Sequence, residues 1–260
     1  MALDAGTVSH IILPYYTAKY LCSANDEMVI TTEYHPEKAT GAAAWALARL
    51  SDGYSFMLKE DNAELRDAFD AQIKAMKEDG TLQKLVDEYI VKASEGQEPA
   101  AVGFEKFEGD PIRVGVSGDL PPMDYVGEDG SFAGFNTAVL AEIGKRMQKN
   151  IQLIQVKNVG RAMALSEGVV DVVFWTRCLS EDLVDEHVAN RGLSEEELAA
   201  KRAERMESWT DEERAILEGS EPPTEEEKEK LKARDMPPGT IITRPYFSDF
   251  SVRVEKKANQ

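Results

Sequence analysis

The run VVDVVFWTR ends in three residues equipped to hold a small anion. A guanidinium offers two parallel N–H groups that match a carboxylate, and a threonine hydroxyl with nearby amides completes the grip. Arg177 and Thr176, with Trp175 as an aromatic neighbour, therefore form a candidate carboxylate clamp; the other role open to Arg177 is a salt bridge to the acidic segment after it. Asp119 stands in a Gly-Asp-Leu-Pro turn, where it either accepts hydrogen bonds from a ligand ammonium or caps backbone amides. Tyr125, near the same turn, either stacks on a ligand or staples the sheet. Arg161 is a secondary candidate.

Metal and nucleophile chemistry find little support. Cys22 and Cys178 lie far apart with no CxxC spacing, which argues against zinc and against a thioredoxin-like motif; two ordinary thiols or one disulfide remain open. His10, His35 and His187 are scattered without ligand spacing or a nearby nucleophile pattern, so neither a metal, a cofactor nor a catalytic triad is expected.

The elements that must carry these residues follow from pattern. Asp61 with Glu64 reads as a capping box opening a helix whose apolar stripe is Leu65, Phe69, Ile73 and Met76, and Gly80 closes it. Thr81 then caps a second helix with Leu82, Leu85, Val86, Tyr89 and Ile90 on one face. A linker rich in Gly, Pro, Ala and charge follows over 94–111. Alternation at Ile112, Val114 and Val116 marks a strand, Asn136 caps a helix bearing Val139, Leu140, Ile143 and Met147, and a strand at Ile151 to Val156, a short helix ending near Gly168, and a strand at Val169 to Trp175 complete the series. Strand, helix, strand, helix, strand is the pattern of a parallel α/β sheet, whose ligands sit at the carboxyl ends of its strands. Asp119, Trp175, Thr176 and Arg177 all fall there.

From 178 the character changes. Three capping boxes, Ser194 with Glu197, Thr210 with Glu213 and Thr224 with Glu227, read as three short helices with too few apolar residues for a core of their own. This acidic helical insertion is either a solvated excursion or a lid or docking surface. Thr243 to Val254 returns to aromatic and β-branched residues and reads as a strand rejoining the sheet.

Composition bounds the function. At 260 residues and 42% hydrophobic content the chain can bury a real core, and 48 acidic against 30 basic residues, a net charge of -18, oppose nucleic acid as a partner. The N-terminal MALDAGTVSHIILPYY has no basic n-region and an apolar run broken by Pro14, so no signal peptide is expected in this chain.

The stretch IRVGVSGDLPPMDYVGEDGSFAGFNTAVLAEIGKRM with ALSEGVVDVVFW resembles the first lobe of the family 3 bacterial extracellular solute-binding proteins. Phe56 to Ile90 resembles the family's closing helices, Ala2 to Leu21 its second-lobe segment, and TRPYFSDFSV its crossing strand. The resemblance implies a periplasmic-binding-protein-like II fold: two lobes of doubly wound sheet, the second reduced, with the acidic helices inserted. The segments come in the wrong order, which leaves three arrangements: a circular permutation, a fragment of tandem domains, or a swapped dimer. The organisation that follows is 1–93 for the second-lobe segment and closing helices, 94–111 for the linker, 112–177 for the first-lobe segment, 178–240 for the insertion and 241–260 for the crossing strand and tail.

By the same resemblance the chain is the extracytoplasmic, non-enzymatic receptor of an ABC permease, holding an amino acid or related small carboxylate between its lobes. Two departures stand out. The family's arginine comes several residues after the position of Arg177, and the second-lobe acid for a ligand ammonium is replaced by Pro14, leaving Tyr15 as a pocket wall. A ligand-free interaction or sensor module is the alternative. A dehydratase like the cyclohexadienyl dehydratases is disfavoured, because no Glu stands at the strand ends to act as general acid.

Overall fold

A computed structural model describes residues 3, 6–33, 51–127, 129–157, 160–177, 194, 196–197, 211, 224 and 237–257. The chain divides into two compact units: Met1–Glu33, Gly53–Arg177 and Pro237–Gln260 form one, and Tyr34–Asp52 with Cys178–Met236 the other.

The first unit contains, in chain order, β1 (His10–Pro14), α1 (Tyr15–Ala24), β2 (Met28–Glu33), β3 (Ser51–Lys59), α2 (Ala63–Glu78), α3 (Thr81–Val86), β4 (Ile112–Val116), β5 (Asp119–Leu120), β6 (Asp124–Val126), β7 (Phe132–Ala133), α4 (Phe135–Met147), β8 (Ile151–Gln155), α5 (Arg161–Ser166), β9 (Val172–Arg177), β10 (Thr240–Ile242) and β11 (Phe247–Lys256). The expected parallel core is present: β4 runs parallel to β8 on one side and to β9 on the other, with α4 and α5 as crossovers. β9 starts at Val172 rather than at Val169, because the chain first turns through Gly168 in a left-handed conformation.

β3, absent from the sequence expectations, runs antiparallel to β9 and sits between it and β11. Its residues Tyr54 to Leu58 are buried without interruption, so no alternation betrays the strand. Around it closes the main core: Phe69, Ile73 and Met76 of α2 and Phe135, Val139, Leu140 and Ile143 of α4 join Phe56, Phe174 and Tyr246. The stripe expected on α2 is therefore the buried one.

β11 extends this sheet beyond β3 and is the middle strand of its smaller part, antiparallel to both β1 and β2. Val252 and Val254 face a smaller cluster with Leu3, Ala18 and Met28, while Arg253 and Glu255 point the other way and pair at 2.6 Å. Cys22 packs on this smaller cluster and burial raises its thiol; Cys178 lies outside the described residues.

Three helix starts differ from the sequence reading. A 3-10 turn at Glu60–Asn62 precedes α2, which opens after Asn62 with no side-chain cap, so Asp61 is not the cap. At α3 the Thr81 amide donates to Asp79 Oδ1 at 2.9 Å, and the Thr81 hydroxyl oxygen instead accepts from Arg146, making Asp79 the acceptor at this start. α4 opens after Gly134, and Asn136 lies inside it, its side chain spent on tertiary contacts. The helix begun by α3 continues through a π-turn at Asp87–Val91, with Tyr89 and Ile90 buried as expected. The 94–111 stretch has almost no regular structure but is tied down: Val102 and Phe104 pack on the main core, and Asn150 holds Phe107 through both its backbone N–H and C=O.

Of the second unit, the described residues include the first capping box. Ser194 Oγ accepts from the Glu197 amide at 3.3 Å, and Glu197 accepts from the Ser194 amide at 2.8 Å. The pairs Thr210 with Glu213 and Thr224 with Glu227 rest on residues outside the described set.

Candidate functional site

The turn after β4 is organised by an acid the sequence reading passed over. Asp124 is 1% exposed, and its Oδ1 accepts from the Ser117 hydroxyl and from the Gly118 amide, each at 2.7 Å. Asp119, five residues earlier, is exposed and does not perform this capping. The β5–β6 ladder explains the division of labour: Asp119 faces Tyr125 and Leu120 faces Asp124, so the period of two sends Asp119 and Tyr125 to one side and Leu120 with Asp124 into the core. Gly118, at φ 73°, has no room for a side chain, since a Cβ there would lie 2.9 Å from Val126.

Asp124 Oδ2 accepts from Asn136 Nδ2 at 3.4 Å, and Asn136 Oδ1 accepts from the Tyr246 hydroxyl at 2.8 Å. Tyr246 is 2% exposed, and burial pushes its phenol well above the ordinary value; the Asp124 charge adds to this and Arg161 opposes it. Ser117, Asp124, Asn136 and Tyr246 thus form one buried chain of hydrogen bonds.

Arg161, the first residue of α5, joins this chain to the strand ends. Its Nη1 donates to the carbonyl of Phe174 in β9 at 2.9 Å. Burial lowers its pKa, while the charges of Asp124, Tyr246 and Asp119 act to raise it. A guanidinium does not lose its proton in a protein, so a part-buried positive charge stands at the carboxyl end of β4, level with Phe174 in β9.

The expected site residues fall into separate groups. Asp119 and Tyr125 are cross-strand neighbours; burial raises the Tyr125 phenol, with Tyr20, Glu98 and Tyr89 adding to the shift. Trp175 and Thr176 are half-buried in β9, opposite Ser55 and Tyr54 of β3. Arg177 ends β9 opposite Gly53, and its side chain lies outside the described residues. Tyr15 packs on the smaller cluster, its ring edge-on to Tyr16 at 5.2 Å with Lys19 over its face at 5.7 Å.

Tyr16, not Tyr15, lines a groove of about 520 Å³ at the crossing strand, with Lys77, Leu82, Val86, Phe247 and Asp249. Among the described residues, none of the expected site residues lines it. Asp249, 4% exposed, accepts the Tyr16 amide at 3.0 Å, which supplies the start of α1 with the acceptor that Pro14 lacks.

Residues 112–177 match the model of the bacterial extracellular solute-binding proteins, family 3. The matched segment contains β4 through β9, hence Asp124, Asn136 and Arg161. No curated protein matches the chain. The match supports solute binding for a transporter, a class that is generally non-enzymatic. Among the described residues no helix is long and apolar enough to cross a membrane.

Proposed function

We propose that this chain is an extracytoplasmic solute receptor that delivers an amino acid or related small carboxylate to an ABC permease, and that the ligand carboxylate is held at Arg161. One observation carries the assignment of the site: Arg161 places a part-buried cation at the carboxyl end of β4, bonded to Phe174 of β9, inside the segment that matches the solute-binding family. The exposed Asp119 carboxylate lies within its electrostatic reach and is the nearest candidate for a ligand ammonium. Thr176 and Trp175, and Tyr125 beside Asp119, stand as further contacts, with Arg177 completing the clamp and Tyr15, on the smaller cluster, as a pocket wall.

The segment order supports a permuted single module. Phe56, from the part of the chain before the linker, stacks with Tyr246 at 4.7 Å and lies 5.4 Å from Phe174, so three separated parts of the sequence share one core. A stable dimer in a solution mass measurement would favour the swapped arrangement instead. The alternative of a ligand-free interaction module draws on Pro14, which stands where the family's second-lobe acid would be, and on Asp249, whose carboxylate there is bonded to the Tyr16 amide.

Thermal unfolding with the twenty standard amino acids, acetate and succinate tests the receptor reading. A ligand at 100 times its dissociation constant adds about 2.7 kcal/mol of stability. Arg161→Gln removes the cation, and the shift given by the best compound then falls by at least about tenfold in apparent affinity, the effect of losing a charge-assisted hydrogen bond. A folded wild-type protein that none of these compounds stabilises would refute the reading.

A further inference from the structure

The buried chain from Tyr246 to Ser117 links two parts of the molecule that the ligand reading treats separately. Tyr246 immediately precedes β11, the strand that joins β3 to the smaller part of the sheet formed with β1 and β2. At the other end, the Ser117 hydroxyl and the Gly118 amide belong to the turn that leads into Asp119. Every link is side-chain specific: hydroxyl to amide oxygen at 2.8 Å, amide nitrogen to carboxylate at 3.4 Å, carboxylate to hydroxyl and backbone amide at 2.7 Å. The members are all nearly inaccessible, Asn136 at 2% and Ser117 at 5%, so water does not substitute for a missing partner.

We propose that Tyr246, Asn136 and Asp124 are positioning residues of the ligand site: they fix the 117–119 turn beside Arg161 and register it to the crossing strand. The turn's orientation then depends on where β11 begins, because Gly118 tolerates a range of backbone conformations and Asp124 holds it in one. A displacement of the crossing strand pulls on the Tyr246 hydroxyl and is passed through Asn136 and Asp124 to the turn. This rests on the reading that the ligand sits at Arg161.

An exchange of partners tests it. Asp124→Asn sets two amide NH2 groups against each other, and the double variant Asp124→Asn with Asn136→Asp restores a donor facing an acceptor at every link. Hydrogen exchange of the Gly118 amide, followed by NMR on the full chain without ligand, is expected to speed up about tenfold or more in Asp124→Asn, the loss of one net hydrogen bond, and to return towards the wild-type rate in the double variant. The Val114 amide, in the β4 ladder, keeps its rate throughout; a general loosening of the fold would move both. Tyr246→Phe, which removes a single hydroxyl, gives a smaller acceleration in the same direction and serves if Asp124→Asn does not fold. Unchanged Gly118 exchange in Tyr246→Phe and Asp124→Asn, or a double variant no better than the single, overturns the proposal. The same variants, run against the twenty amino acids, acetate and succinate, are expected to lose affinity in the single and regain it in the double. If none of these compounds stabilises even the wild type, the receptor reading fails while the exchange result still decides the network.

Discussion

Phe56 lies at the meeting point of the three sequence segments, and its truncation measures whether they form one core. The ring is fully buried, edge-on to Phe69 at 5.2 Å, tilted to Phe174 at 5.4 Å and stacked on Tyr246 at 4.7 Å. Phe56→Ala at such a site is expected to cost about 3 to 5 kcal/mol, the transfer term plus the cavity left among rings that cannot collapse onto it. For a chain of this size that corresponds to a fall in Tm of about 10 °C. The more telling number is a coupling energy. In a double-mutant cycle of Phe56→Leu with Phe174→Leu, read by urea denaturation and far-UV circular dichroism, the direct ring contact is expected to appear as about 0.5 to 1.5 kcal/mol of non-additivity. Additive losses, or a Phe56→Ala cost below about 1 kcal/mol, the range of a surface substitution, would mean that β3 does not pack against β9. The single-core arrangement would then be wrong, whatever the ligand.

Two further outcomes follow from the geometry. Gly134→Ala is expected to destabilise by about 3 kcal/mol, because φ is 102° and the added Cβ meets the backbone oxygens of Met123 and Pro122 at 2.6 and 2.8 Å, while Gly130→Ala, at φ 80° with nothing within 4 Å, costs only about 1 kcal/mol; equal losses in a denaturation comparison would refute the steric argument. The Asp79 carboxyl is pushed down to about 2 by hydrogen bonds from the Thr81 side chain and backbone amide and from Arg146. A depressed carboxylate contributes stability above its unfolded value, about 3.9, that is lost as pH falls towards the folded one, so Asp79→Asn is expected to lose less Tm than wild type between pH 4 and pH 2. Parallel Tm profiles for the two proteins across that interval would count against the contact.

How much of this was legible beforehand depended on whether a signal was local. The βαβαβ series from Ile112 to Trp175 was, because strand alternation and helix stripes are written in consecutive residues, and the buried face of α2 agrees with its stripe. β3 was not, since a strand covered on both faces loses its alternation and its neighbours β9 and β11 come from positions far along the chain. α1 escaped for a related reason: its start is served by Asp249, 233 residues away, so no capping signal precedes Tyr15 in the sequence.

The site shows the same limit in sharper form. Residue types at the strand ends pointed to a carboxylate clamp, and the choice between Asp119 and Asp124 turned on a two-residue register that composition does not carry. Once β5 and β6 pair as Asp119 with Tyr125, parity alone buries Asp124 and exposes Asp119. The exposed acid faces solvent, whereas the buried one accepts hydrogen bonds from Ser117, Gly118 and Asn136. Arg161 carries a weaker sequence signal than Arg177 because it lies in a helix, away from the apolar strand end. Its long side chain reaches from the first turn of α5 to the Phe174 carbonyl, and that reach puts the cation beside the strand ends without requiring it to belong to a strand. Within residues 112–177 a positive charge is thus supplied from the crossover helix rather than from the strand end.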